Sequence, residues 1–90
     1  MNYRVIAFGE SENGFWNQPT FHSNFEDARN YYCKVVNSLK PDCLGVVLVE
    51  VNHEDFKVIN RVGLNLYEVT YNFGVVRVKN KKQEIVVSDT

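Results

Sequence analysis

The sequence predicts one compact α+β domain over residues 1–90. The expected architecture is a mainly antiparallel β-sheet with a single amphipathic helix packed on one face, ordered ββαββ with a C-terminal β-meander. Three observations carry this. One stretch, residues 23–40, repeats its apolar residues at the helical period. The other apolar stretches are short and rich in valine, isoleucine, tyrosine and phenylalanine, as strands are. Clusters of Asn, Asp, Gly and Pro separate them.

The helical stretch opens Ser23-Asn24-Phe25-Glu26, which reads as a capping box with the Ser23 hydroxyl at the helix start and Glu26 reaching back. At 100° per residue, Phe25, Ala28, Tyr31, Tyr32, Val35, Val36 and Leu39 share an arc of about 140°. Asp27, Asn30, Lys34, Asn37 and Ser38 fill the other side. Pro41 ends the run, since proline disfavours helix in the residue before it. Phe25, Ala28, Tyr32, Val35, Val36 and Leu39 are expected to pack on Val5, Ala7, Val47 and Val49.

In chain order, residues 3–8 form a strand, and Val5-Ile6-Ala7-Phe8 is apolar throughout, as in a strand covered on both faces. Asn13-Gly14 is a hairpin signal. Residues 15–20 return as a strand that Pro19 marks as short or at an edge. Residues 44–51, Leu-Gly-Val-Val-Leu-Val-Glu-Val, are the most β-branched stretch and read as a central strand under the helix. Asn52-His53-Glu54-Asp55 is a turn, residues 56–61 return, and Val62-Gly63 bends the chain. Residues 64–71 place Tyr67, Val69 and Tyr71 on one face. Asn72-Phe73-Gly74 turns tightly, residues 75–79 set Val76 and Val78 opposite Arg77 and Lys79, and residues 84–87 close the meander. As an alternative, the meander forms a second small sheet or pairs with a neighbouring chain.

The chain has a net charge of −1, which provides no general attraction to nucleic acid or acidic membranes. Residues 1–55 carry eight acidic and four basic side chains, a balance of −4, and residues 56–90 carry three acidic and six basic, a balance of +3. No apolar run approaches the ~18–20 residues of a membrane helix. The N-terminal residues enter strand-like sequence directly, without the pattern of a secretory leader. Two cysteines do not make a disulfide framework, so a reducing, cytoplasmic setting is expected.

His22, Cys33, Cys43 and His53 are the candidate metal ligands, and none is paired at a zinc-motif spacing. No cofactor is expected. Neither cysteine has a local motif supplying an oriented base, as a nucleophile would require. A Cys33–Cys43 disulfide is disfavoured because seven helical residues rise about 10 Å, beyond the reach of the bond. Glu26-Asp27 suits a helix N-terminus and Glu54-Asp55 a solvated turn, so neither pair calls for acid–base chemistry. No phosphate loop, nucleophile elbow or dinucleotide fingerprint is present, and a non-enzymatic protein is expected.

Two binding surfaces remain. Phe15, Trp16 and Phe21 crowd a short edge segment, more aromatic surface than a thin domain readily buries, and form the candidate site for a protein partner or for self-association. Arg77, Lys79, Lys81 and Lys82 cluster on one strand and its turn. They form the candidate phosphate site, for a nucleotide or nucleic acid, with Lys57 and Arg61 as neighbours and Tyr71 and Phe73 as a stacking surface. The competing role for these cations is to keep an outer strand from pairing with other chains, and it is the favoured one.

The eleven asparagines, with abundant Tyr, Phe and Lys, are the bias an A/T-rich genome produces. In size, lack of catalytic motifs and this bias, the chain resembles small accessory and anti-defence proteins of phages, in architecture and composition only. That resemblance transfers no functional residue. It implies an inhibitor that occludes a host protein, as a monomer or homo-oligomer. The alternative is a phosphate-ligand binder using the basic hairpin.

Overall fold

The structure is a computed structural model that describes residues 2–63, 67–72 and 75–80. Its elements are β1 (Asn2–Ser11), β2 (Gly14–His22), α1 (Phe25–Val36), β3 (Cys43–Val51), β4 (Phe56–Gly63), β5 (Tyr67–Asn72) and β6 (Val75–Asn80). The first four strands form one antiparallel sheet in the order β2-β1-β3-β4, and β5-β6 is a separate two-stranded sheet. The fold is therefore α+β as expected, and β5 and β6 form the second small sheet rather than a continuation of the first. The expected strand at residues 84–87 lies outside the described residues.

Both β2 and β3 run antiparallel to β1, so they are parallel to each other on its two sides. Parallel strands need a crossover long enough to carry the chain back, and α1 provides it. The helix lies on one face of the sheet and the hairpin on the other. Residues of β1 and β3 alternate between the two layers. Val5, Val46 and Leu48 pack with Ala28 and Tyr32 of α1, whereas Ile6, Phe8, Val47, Val49 and Val51 pack with Tyr67, Val76 and Val78. This two-sided covering is why Val5-Ile6-Ala7-Phe8 shows no polar alternation.

The parity of β3 corrects one expectation. Val47 and Val49, expected beneath the helix, face the hairpin; Val46 and Leu48 take the helix side. A run apolar on both faces carries no mark of which face is which.

The helix is also shorter than the periodicity suggested, and its cap is one residue later. Asn24, not Ser23, is the N-cap: its Oδ1 accepts from the Asp27 N–H at 2.9 Å, while its Nδ2 donates to Asp27 Oδ2 at 3.1 Å. At the other end the Asn37 N–H donates to Cys33 O at 3.0 Å and the Ser38 N–H to Val35 O at 3.1 Å, closing the last turn. Leu39 therefore lies past the helix and is 43% exposed, and Phe25, in the first turn, is 42% exposed. Both were expected in the core. Val35 and Val36 are half-buried against it.

Strand β2 runs nine residues to His22, longer than expected, and lies at the sheet edge where Pro19 costs no central ladder bond. The pairing of β1 with β3 slips after Phe8: Phe8 faces Gly45 but Gly9 faces Cys43, leaving Leu44 as an extra residue. The bulge sends Leu44 toward the hairpin cluster and Cys43 toward the helix cluster. The expected turn at 52–55 is present, closed by the Asn52 N–H donating to Asp55 O at 2.9 Å.

Candidate functional site

Strand β2 is the element on which the candidate residues sit, and its alternation divides them. Phe15, Asn17, Pro19 and Phe21 share one face, and Trp16, Gln18, Thr20 and His22 share the other. The expected aromatic cluster is therefore not one surface. Phe15 turns to the hairpin side, where it stacks on Tyr67 with ring centroids 5.2 Å apart and 18° between planes, next to Phe8. It is half-buried, packed against the hairpin-side core. Phe21 is 68% exposed, and its ring lies under the Arg4 guanidinium at 4.4 Å.

Trp16 lines the cleft beside α1. It pairs with Gly9 across the β1–β2 ladder, and a Cβ on Gly9 would stand 2.5 Å from the indole ring. Glycine is thus what lets the indole lie against the β1 backbone. The cleft beside it has a volume of about 210 Å³. Val5 and Ala7 of β1, Gln18 of β2, and Tyr31 and Val35 of α1 line it, together with Ser38, Leu39, Lys40 and Cys43. It exists because α1 stops at Val36. The chain leaves the helix axis before Leu39 can cover the sheet between α1 and Trp16.

The polar groups around the cleft are mostly engaged in holding its walls. The Ser38 hydroxyl donates to Lys34 O at 3.0 Å. The Cys43 thiol has Phe8 O at 3.5 Å and Gly45 O at 3.4 Å, so its one proton is shared between bulge carbonyls. The Thr20 hydroxyl and His22 Nε2 are 2.9 Å apart, and the His22 ring lies 5.2 Å from Tyr31. Tyr32, beneath the helix, has its phenol pKa raised, first by burial and second by the neighbouring Cys33. Among the described residues, no group of three or more His, Cys, Asp or Glu side chains is placed to hold a metal ion. Cys33 is exposed on α1 and free, as is the half-buried Cys43. Among the described residues, no helix is long and apolar enough to cross a membrane.

The basic hairpin is described in part. Arg77 and Lys79 stand on the exposed side of β6, and Lys81 and Lys82 lie outside the described residues. Glu68 is directly across from Lys79 and Thr70 across from Arg77, so the pair presents less net charge than the sequence suggested. Tyr71 is half-buried and lines an opening with Arg77 and Lys79. It stacks on Phe56 at 5.9 Å, and its hydroxyl meets the carbonyls of Asn52 at 3.3 Å and His53 at 3.1 Å. Arg61 is likewise occupied, donating from Nη2 to Tyr67 O at 3.2 Å. Phe73 lies outside the described residues.

A second opening, of about 520 Å³, lies between β2 and β6 and is lined by Phe15, Asn17, Pro19 and residues 75–79. Its span is bridged by Asn17, whose Nδ2 donates to Val78 O at 3.1 Å and whose Oδ1 accepts from the Val78 N–H at 2.8 Å. Sequence reasoning gave Asn17 no role. An amide between aromatic and proline neighbours on an edge strand was the only signal, and it is a faint one.

Compared with protein-family models, curated proteins and solved structures, the chain gives no match in any of the three.

Proposed function

We propose that this chain is a non-enzymatic binding protein that acts by occupying a surface of a protein partner. In this reading Trp16 and Leu39 grip one aliphatic side chain of the partner in the cleft beside α1. The supporting observation is the cleft itself. Its volume of about 210 Å³ falls below the ~300–1,000 Å³ of typical small-molecule sites. It suits a single anchor residue, and a tryptophan wall is the kind of contact that dominates binding energy at protein interfaces. Leu39, 43% exposed at the rim, would be covered by the docked partner. The role is that of an inhibitor or accessory protein in a reducing, cytoplasmic setting.

Selection from a random peptide library tests this. The expected ligands carry a leucine, isoleucine or valine anchor, quench the Trp16 fluorescence and lose roughly tenfold or more in affinity against Trp16→Ala, a hot-spot-sized loss. Ligands that bind Trp16→Ala and the parent protein equally would defeat the proposal, provided the variant keeps the parent's circular dichroism.

A further inference from the structure

The opening between β2 and β6 has the chemistry of a strand-accepting edge, on the face of β2 opposite the Trp16 cleft. Val78 turns its N–H and C=O outward to Asn17, so Val69 and Val78 form a pair that shares no ladder bonds. Along an antiparallel strand this outward orientation recurs every second residue, which turns the N–H and C=O of Val76 toward the same opening. Phe15 and Pro19 supply its apolar wall on the β2 side. Among the described residues, the charged side chains lining it are Arg77 and Lys79. Lys79 faces Glu68 across the hairpin, whereas the residue across from Arg77 is the neutral Thr70. Val75, 52% exposed, extends the apolar surface at the end of the edge.

We infer that this groove receives an extended acidic segment of a protein partner, added to β6 as a further strand. Its backbone pairs with Val76, and the Asn17 amide on Val78 stops it at the far end. A strand on this edge alternates its side chains between two environments. Those turned inward meet Phe15 and Pro19 and are apolar; those turned outward stand beside Arg77 and are carboxylates. The recognised pattern is therefore an alternation of apolar and acidic residues. This goes beyond the Trp16 reading and stands or falls separately from it.

The test is fluorescence anisotropy on the full chain with two labelled peptides of about eight residues, one alternating Val and Glu and its twin alternating Val and Lys. The acidic peptide is expected to bind at least about tenfold tighter than its twin, with an affinity that falls as salt rises. Arg77→Glu is expected to reverse that preference, and Trp16→Ala to leave it unchanged. N-methylation of the central peptide bond is expected to abolish binding, which separates strand addition from simple charge attraction. Equal binding of both peptides, or the same preference in a folded Arg77→Glu variant, overturns the inference. If that variant fails to fold, Arg77→Ala takes its place with the same criterion.

Discussion

The Asn17 side chain forms a two-point bond with the backbone of Val78, donating to its carbonyl at 3.1 Å and accepting from its N–H at 2.8 Å across 61 residues of sequence. One amide thus joins the edge of the four-stranded sheet to the edge of the hairpin. With the Tyr71 hydroxyl on the Asn52 and His53 carbonyls and Arg61 on the Tyr67 carbonyl, it fastens the hairpin by polar contacts on both flanks.

Replacing Asn17 by alanine removes both bonds and leaves the Val78 groups to water or to nothing. Hydrogen-bond deletions of this kind cost about 1–3 kcal/mol. For a domain of this size that is a fall of roughly 4–8 °C in Tm per kcal/mol. Asn17→Asp is the sharper probe. Its ionised carboxylate still accepts from Val78 N–H but opposes Val78 O, so the variant is expected to lose more stability at neutral pH than in acid. In acid the protonated carboxyl regains a donor. Thermal unfolding of the three proteins across pH checks this, and a pH-independent difference between Asn17→Asp and the parent would contradict the geometry.

Gly9 supports the cleft by being small. An added Cβ would meet Asp42 O at 2.1 Å and the Trp16 ring at 2.5 Å, and the carbonyl belongs to backbone that cannot swing aside. Gly9→Ala is therefore expected to cost about 1–3 kcal/mol, the usual range for overpacking. It should also shift the Trp16 emission by displacing the indole. Measuring denaturation and emission together tests both effects, and an unchanged spectrum would mean that Trp16 does not lie against Gly9.

Much of this arrangement was legible in the sequence, and the parts that were not have physical reasons. The strand pattern and the single helix followed from periodicity, and the apolar run at Val5–Phe8 showed that both faces of the sheet are covered. The same run hid the facing of β3, because Val46, Val47, Leu48 and Val49 are all buried and none is polar enough to mark a side. The grouping of Phe15, Trp16 and Phe21 failed for a related reason. Adjacent aromatics on a strand point in opposite directions, so Phe15 packed against the hairpin-side core while Trp16 lined the cleft. Asn17 stayed invisible because its partner is 61 residues away and is backbone, which no side-chain pattern announces.

The helix start offers a direct contest between two adjacent caps. Ser23 begins the capping-box pattern, yet Asn24 makes the bond to the Asp27 N–H at 2.9 Å, and its φ of −136° and ψ of 160° are the extended values of a cap residue. Asn24→Ala is expected to cost about 0.5–2 kcal/mol, the range for losing an N-cap. Ser23→Ala is expected to stay within about 0.5 kcal/mol, as surface changes do. Chemical denaturation of the two variants decides between them, and the reverse order would restore the cap to Ser23.

Tyr32 makes stability sensitive to alkali. It is buried against the sheet, and burial first, then the charge of Cys33, hold its phenol above its ordinary pKa. In the unfolded chain the phenol ionises near pH 10. The folded chain keeps its proton past that point, so only the unfolded state is stabilised by ionisation there. The contribution of Tyr32 is thus fully present below about pH 10 and is lost as pH rises through the folded value. Denaturation measured from pH 8 to 11 (spanning about pH 10) is expected to show a decline that is shallower in Tyr32→Phe. Cys33→Ser, which removes the second cause, is expected to shift the decline only slightly. Identical slopes for the parent and Tyr32→Phe would place the alkaline loss on other tyrosines and leave the buried phenol without a role in it.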